Sequence, residues 1–146
     1  IVVVQFIVFE HNENELKHLG FLRKMGVDEI NVKTAQFTTS THSEVRPPVK
    51  KKLTRYVPKS GKHLIKTKLY NHCWRISSSM VFSWEGLSYP CCFDKDGDYP
   101  LNEKAEKTVT DIWKSTKFNA FRKIILTNRQ SVPMCQNCTE GQKWLI

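Results

Sequence analysis

The sequence predicts an α+β chain in which one βαβ unit precedes a small domain, a β-hairpin with helices, built around a cysteine-ligated metal site. Three observations support this prediction. An apolar run, a helical pattern and a second short apolar run follow one another in residues 1–34. Hairpin and helix signals recur in residues 73–146, and widely spaced cysteines lie in that same segment. A chain of 146 residues is long enough for one ordinary domain or two very small ones.

The βαβ unit begins with residues 1–9, a nearly continuous β-branched and aromatic run that is typical of a strand buried on both faces of a parallel sheet. Asn12 and Glu15 have the spacing of a capping box, and Gly26 lies where a helix C-cap glycine belongs. The apolar positions at helical spacing between them are Leu16, Leu19, Leu22 and Met25. Residues 29–33 then alternate as a second strand does.

This unit is too small to be complete as a sheet, because one βαβ unit cannot bury both faces of its strands. The chain also starts without Met, inside the first predicted strand. We therefore expect the chain to be an excised fragment of a longer protein.

Residues 35–72 form a basic connector for which little regular structure is predicted, apart from a short strand over residues 63–69. The net charge is +9, and residues 45–72 hold nine Lys and Arg but no acid, so the excess is local. Because Lys and Arg make phosphate contacts, RNA or DNA binding is an alternative. Only Tyr56 and Tyr70 are available there for base stacking. A solvated linker is favoured, and nucleic acid is not expected as a partner.

The sequence contains no stretch that fits a membrane-spanning helix, which needs roughly 20 apolar residues. The N-terminal run lacks the basic flank and the small-residue cleavage site of a signal peptide. Five cysteines are an odd count, whereas a secreted disulfide scaffold favours an even one. We therefore expect a cytoplasmic protein without a membrane partner, whose clustered cysteines bind metal or do chemistry.

The segment after the connector carries a hairpin signal and two helix signals. Turn residues 83–86 are predicted to join two short strands that end near Pro90. Residues 108–117 and 119–128 predict helices. The inward-facing positions predicted for these helices are Val109, Ile112 and Trp113 in the first and Phe121, Ile124 and Ile125 in the second.

The cysteines give the strongest chemical signal. Cys135 and Cys138 form a C-x-x-C turn whose two thiolates can converge on one metal. Cys73 and one of the adjacent pair Cys91 and Cys92 could complete four ligands, since neighbours on an extended chain point to opposite faces. Thiolate ligation suits either zinc or an iron–sulfur cluster. Unligated buried thiols are the alternative, because Cys packs well as a small hydrophobe.

Other site patterns are weak or excluded. Residues 94–98 have the composition of a calcium loop, but Gly97 stands at position four instead of six, and Ala105 stands at position twelve. An Asp/Gly turn is predicted there instead. His72, beside Cys73, is the histidine best placed to act as a spare ligand, and the sequence has no P-loop, GxGxxG or Ser-His-Asp pattern.

The order of these features resembles the SPASM/twitch auxiliary-cluster domain that follows the barrel of radical S-adenosylmethionine enzymes. Cys73 and Trp74 open the resemblance, and residues 84–94 contain Gly86 and Cys91 in the family's G-x4-C relation. The further matching pieces are Leu101-Asn102, residues 110–115, Phe121-Arg122 and residues 133–138. The N-terminal unit is similar to the late strand–helix–strand repeats of the enzymes' partial (β/α) barrel, so the resemblance covers nearly the whole chain.

The resemblance implies one 4Fe-4S auxiliary cluster in residues 73–146, following a late barrel repeat in residues 1–34. The implied ligands are Cys73, Cys91, Cys135 and Cys138, with Cys92 as an alternate. Such a fully ligated cluster has no open site, so electron transfer or organisation of the substrate pocket is its implied role. The side chains implied to shield it are Trp74, Phe93 and Trp113.

The sequence also departs from the family pattern. The radical-generating C-x3-C-x2-C triad is absent, so this fragment is not expected to cleave S-adenosylmethionine by itself. The longer family pattern carries further cysteines for a second auxiliary cluster, and none follows Cys138, so one cluster is the limit here. S-adenosylmethionine and a second 4Fe-4S cluster are expected only in the full-length parent, an oxidoreductase or modifying enzyme acting on a peptide or small molecule. The alternative is a structural zinc module in a binding protein, with the basic connector contacting nucleic acid.

Overall fold

The computed structural model describes residues 1–37, 45–103 and 108–141 of the chain. They belong to two compact units, Ile1–Lys68 and Leu69–Ile146. The fold is mixed α and β, and the described residues form short helices and three two-stranded sheets. Parts of the predicted connector (38–44) and of the predicted second domain (104–107, with Ala105, and 142–146) lie outside the described residues. None of the helices in the described ranges has the length and apolarity that crossing a membrane demands.

The first unit contains the predicted parallel strand pair. Strand β1 (Val3–Val8) pairs in parallel with β2 (Glu29–Thr34), and Val3 lies opposite Glu29. This confirms the predicted strand–helix–strand order. The expected burial of β1 on both faces is wrong, because Val3 and Ile7 are 44% and 47% exposed. The described sheet has two strands, so the remaining apolar positions of β1 contact solvent.

The crossover between these strands is not the single helix that the apolar spacing predicts. A 3-10 turn (Glu15–His18) precedes the short helix α1 (Gly20–Lys24). The predicted capping box is wrong, because the Asn12 side chain bonds to the end of β1. It accepts from the Phe9 N–H at 2.7 Å and donates to the Ile7 carbonyl at 3.0 Å. Asn side chains often compete in this way for nearby backbone groups.

Gly26 ends the crossover as predicted. Its φ is +94°, in the left-handed region that glycine adopts without steric cost, and its N–H donates to the Arg23 carbonyl at 3.2 Å. The chain can therefore turn directly from the helix into β2.

The connector contains a hairpin that the sequence prediction missed in part. Strand β3 (Tyr56–Lys59) pairs antiparallel with β4 (Lys62–Ile65), whereas only a strand over residues 63–69 was expected. Ser60 and Gly61 join them, with φ values of +49° and +74°. Two successive positive φ values are typical of the tight turns that connect twisted hairpin strands.

The second unit begins with helix α2 (Arg75–Ser78) and the predicted hairpin, in which β5 (Val81–Phe82) pairs antiparallel with β6 (Ser88–Tyr89). Asn102, which follows the hairpin in the sequence, holds it in place through side-chain hydrogen bonds. Its side-chain oxygen accepts from both the N–H and the hydroxyl of Ser88 at 2.7 Å, and its amide donates to a backbone carbonyl in the turn at 3.0 Å. The chain after β6, which carries the two adjacent cysteines, therefore starts from a defined position.

Two capped helices complete this unit. Helix α3 (Val109–Lys114) has Thr108 as its N-cap, and helix α4 (Thr116–Asn128) has Ser115, whose hydroxyl accepts from the Phe118 N–H at 3.1 Å. Side-chain oxygens at this position satisfy otherwise unpaired N–H groups of the first turn. The core that the helices help to form consists of Ile76, Leu101, Ile112, Phe118, Phe121, Ile125, Val132 and Met134.

The inward-facing positions of these helices were predicted only in part. Ile112, Phe121 and Ile125 are buried as expected, but Val109 and Ile124 are 59% and 42% exposed. Helix α4 begins three residues before its predicted start, at residue 116 instead of 119. This adds a further buried side chain at residue 118, and the resulting i, i+3, i+7 stripe leaves position 124 outside it.

Candidate metal centre

Four of the five cysteines face the same cavity of the second unit. The side chains that line it include Cys73, Cys91, Cys135 and Cys138. All five cysteines are free thiols, and Cys92 is exposed and is not part of the cavity lining. The structure therefore brings together the predicted set from three distant parts of the chain, while their role as metal ligands stays a prediction.

The position of Cys91 is set by a turn that follows strand β6. The Cys91 carbonyl accepts from the Asp94 N–H at 3.1 Å. The Asp94 carboxylate in turn accepts from the N–H groups of Asp98 and Tyr99 at 2.9 and 3.0 Å, and Gly97 has a φ of +73°. This is the Asp/Gly turn that was predicted in place of a calcium loop.

The C-x-x-C segment lies in a compact turn near the end of the described chain. Cys135 closes a short 3-10 helix, Pro133–Cys135, and its N–H donates to the Val132 carbonyl at 2.9 Å. The Cys138 N–H donates to the Cys135 carbonyl at 3.2 Å. Both thiols consequently stay on one side of the turn and face the shared cavity.

Cys73 is held against the C-terminal segment by close backbone packing. The N–H of Trp74 donates to the Gly141 carbonyl at 3.1 Å. Gly141 has a φ of +74°, and a Cβ atom placed on it would lie 2.3 Å from the Cys73 sulfur. Sequence reasoning did not identify Gly141, because a single glycine in a polar tail gives no sign of the thiol that it will touch.

A buried arginine links the segments that carry these thiols. Arg129 is fully buried and also lines the cavity. Its guanidinium donates to the backbone carbonyls of His72 at 2.6 Å, Cys138 at 3.3 Å and Glu140 at 2.9 Å. Sequence reasoning missed this residue as well, because an arginine just after a helix is usually exposed. His72, expected as a spare ligand, contributes its carbonyl here, and its side chain is not part of the cavity lining.

The remaining lining of the cavity is mostly apolar. Its apolar side chains are Ile76, Phe93, Phe121, Ile125 and Met134. Phe93 is thus in place to shield the site, but the other two predicted shields are not. Trp74 is 36% exposed, and Trp113 packs edge-on against Phe118, 5.4 Å away, on another part of the core.

Burial in this environment favours the protonated form of Cys91 and Cys135 when no metal is bound. Loss of hydration raises the pKa of Cys91 to about 12, and the neighbouring thiols of Cys92, Cys138 and Cys73 add to the rise. Burial likewise raises the pKa of Cys135 to about 12, with the positive charge of Arg129 acting in the opposite direction. Metal uptake therefore requires these thiols to release protons.

One prediction concerns the pH dependence of the metal-free protein. Because the pKa values of Cys91 and Cys135 are raised on folding, their contribution to stability is complete below about pH 9, the ordinary thiol value. Above it the unfolded chain loses protons first, so the free energy of unfolding should fall as pH rises towards 12. Urea unfolding under reducing conditions at pH 8 and pH 10.5, about one unit below and one and a half units above that value, measures this. A Cys91→Ser/Cys135→Ser variant with an equally steep decline would contradict the prediction.

The four thiols line one cavity, but they do not converge on a single ion position. Among the residues that the structure describes, no three His, Cys, Asp or Glu side chains come close enough together to hold a single metal ion. The carboxylate of Glu140 also lines the cavity, but it is paired with Arg75 at 3.4 Å. The donors that remain for a bound group are therefore thiols, spread around an apolar space.

The cysteine-bearing segment is similar to a known family of domains. Residues 73–139 match the family model of SPASM, an iron-sulfur cluster-binding domain. No curated protein matches the chain. One similar solved structure is a crystal structure of selenomethionine-labelled BtrN in an open conformation, with 21% sequence identity and a TM-score of 0.45. The similarity covers 94% of this chain but only 56% of the BtrN chain. Residues 73–139 of the chain are thus similar to the SPASM family of iron–sulfur cluster-binding domains, and the four cavity-lining cysteines all lie in this segment.

Proposed function

We propose that the second unit binds one 4Fe-4S auxiliary cluster and serves electron transfer or organisation of the substrate pocket in a radical S-adenosylmethionine enzyme. The proposed ligands are Cys73, Cys91, Cys135 and Cys138. The observation that carries the proposal is the shared cavity of these four thiols, all of which belong to the segment that matches the SPASM family.

The chemistry of the donors supports an iron–sulfur cluster. Four thiolates form the usual ligand set of a 4Fe-4S cluster. A bound cluster would supply one-electron transfer at this position. The chain's own residues then have two tasks: the cysteines hold the irons, and the apolar lining, with Phe93 and Met134, excludes water from the sulfur atoms.

The family match favours a cluster over a zinc ion as the group that these thiols would hold. In a zinc site four ligands converge to about 2.3 Å from one ion. The thiols described above surround a common space without such convergence of any three ligating side chains in the described ranges. A group with several metal atoms spreads its thiolates further apart, and the family match of the segment that carries the thiols favours such a group.

The proposed role follows from the number of ligands. Four protein thiolates leave no open coordination position for a substrate, so the cluster would pass electrons or shape a neighbouring pocket. The sequence contains no C-x3-C-x2-C triad. We therefore assign the cleavage of S-adenosylmethionine to a longer parent enzyme, with a second cluster and a peptide or small-molecule substrate. In that parent, strands β1 and β2 would form a late repeat of the partial (β/α) barrel.

The experiment that tests the proposal is anaerobic reconstitution of the purified chain with iron and sulfide. We expect a brown protein with broad visible charge-transfer absorption. A colourless protein that takes up neither iron nor sulfide would refute the proposal. A protein that still binds zinc stoichiometrically when iron and sulfide are in excess under anaerobic conditions would support the zinc module instead.

A further inference from the structure

We propose that Arg129 is a positioning residue for the bound cluster, holding two of its ligand segments together and setting its reduction potential with a buried positive charge. The inference rests on the proposed function, because it concerns the group that the four thiols would hold. Arg129 is no ligand, and it was not identified from the sequence. Its place in the same cavity lining as the thiols, with no solvent exposure, is the starting observation.

The guanidinium of Arg129 connects both sides of the cavity. One nitrogen donates to the His72 carbonyl, directly before Cys73. The other donates to the carbonyls of Cys138 and Glu140, in the C-terminal segment. A planar guanidinium has several donors in a fixed fork and can make all three bonds at once, which the single ammonium of lysine cannot do with the same geometry. Arg129 thus fixes the distance between the two segments.

The backbone of Arg129 is itself held in place. Its N–H donates to the side-chain oxygen of Asn71 at 3.0 Å, and the amide of Asn71 donates to the Thr127 carbonyl at 2.7 Å. These bonds connect the end of α4 to the residues just before Cys73. The side chain therefore projects into the cavity from a fixed base, as a positioning role requires.

The charge of Arg129 gives it a second effect. A buried charge is costly unless opposite charge lies nearby. The guanidinium lines the same cavity as the thiols of Cys135 and Cys138 and donates to the Cys138 carbonyl at 3.3 Å. Four thiolates around a cluster carry a net negative charge, and reduction adds one more electron. A nearby cation in a water-poor cavity stabilises the reduced form most, so it should raise the reduction potential.

The chain provides a matched control in Arg122, which lies within helix α4, before Arg129 in the sequence. Arg122 also donates to backbone carbonyls, those of Ile76 at 2.9 Å and Trp113 at 2.8 Å. Its guanidinium lies over the ring of Phe118, 3.6 Å from the centroid, and it is not part of the cavity lining. Its replacement removes a comparable structural arginine without removing charge from beside the thiols.

The test compares the wild-type chain with Arg129→Met, Arg129→Lys and Arg122→Met after anaerobic reconstitution. Reduction potential is measured by a redox titration followed by electron paramagnetic resonance, and cluster stability by the rate of iron release to a chelator. We expect Arg129→Met to shift the oxidised-to-reduced ratio at fixed potential by at least about tenfold, or about 59 mV for a one-electron couple, towards the oxidised form. Arg129→Lys should keep most of the potential but release iron several-fold faster, and Arg122→Met should keep the wild-type potential.

Three outcomes would overturn the inference. The first is an Arg129→Met protein with wild-type potential and release rate, and the second is an equal shift of potential in Arg122→Met. If Arg129→Met does not fold, the decision falls to Arg129→Lys, and iron release from Arg129→Lys at the wild-type rate is the third outcome. A wild-type chain that takes up no cluster refutes the proposed function as well, so the two failures are distinguishable.

Discussion

Replacing Cys135 with serine should abolish the uptake of iron and sulfide, whereas Cys92→Ser should leave both close to the wild-type level. Cys135 lines the shared cavity, and Cys92 is exposed outside it. With one of four thiolates missing, one iron has no protein ligand, and the cluster becomes too labile to assemble. The same loss is expected for Cys73→Ser, Cys91→Ser and Cys138→Ser.

The cysteine variants should also differ in stability. Binding and folding are coupled in small metal domains, with about 10–16 kcal/mol of apparent binding energy for structural zinc peptides. We therefore expect reconstitution to raise the melting temperature of the wild type and of Cys92→Ser, but not of Cys135→Ser. Iron content, visible absorption and thermal unfolding before and after reconstitution measure the effect. Equal loss in Cys92→Ser and Cys135→Ser would show that the ligand assignment is wrong.

Gly141→Ala is expected to have the second largest effect. An alanine Cβ would lie 2.3 Å from the Cys73 sulfur, closer than any van der Waals contact allows, and the φ of +74° adds strain of about 1–2 kcal/mol for a residue with a side chain. Either Cys73 or the C-terminal segment must move. Because Cys73 is a proposed ligand, we expect the iron content after reconstitution to fall severalfold and the remaining cluster to be released faster.

The control for this substitution is Gly61→Ala, in the turn between β3 and β4. Gly61 also has a φ of +74°, but nothing lies within 4 Å of the position that an added Cβ would take. Gly61→Ala should therefore carry the same backbone strain as Gly141→Ala, without any effect on the cysteines. Iron analysis and chelator-release rates of the two variants measure the difference. If Gly141→Ala takes up as much iron as the wild type, or if both glycine variants behave alike, the expected clash between the added Cβ and the Cys73 sulfur is contradicted.

Local features of the fold were predictable because their signals lie within a few residues. The β-branched run of residues 1–9 and the glycine at 26 indicated the parallel pair and the end of its crossover, and the turn at 83–86 indicated the hairpin. The division of the crossover into a 3-10 turn and the short helix α1 was not predictable from apolar spacing. There Asn12 bonds to β1 instead of capping a helix, a choice between two nearby sets of backbone groups.

The candidate site was predictable only to the level of its chemistry. Four cysteines in a C-x-x-C and two distant positions indicated which side chains would meet, because few residue types bind soft metals. The supporting residues Arg129 and Gly141 were not predictable. Their roles depend on which backbone segments they face across the cavity, and no local spacing encodes such contacts. The exposure of Ile124 has the same cause, since the packing partner of α4 decides which stripe is buried.

The most direct test of the proposed function is chemical analysis combined with Mössbauer spectroscopy of the anaerobically reconstituted chain. The proposed 4Fe-4S cluster predicts about four iron and about four sulfide per chain, in one spectral component typical of thiolate-ligated iron. A single iron or zinc ion per chain without sulfide, or no bound metal at all, would contradict it.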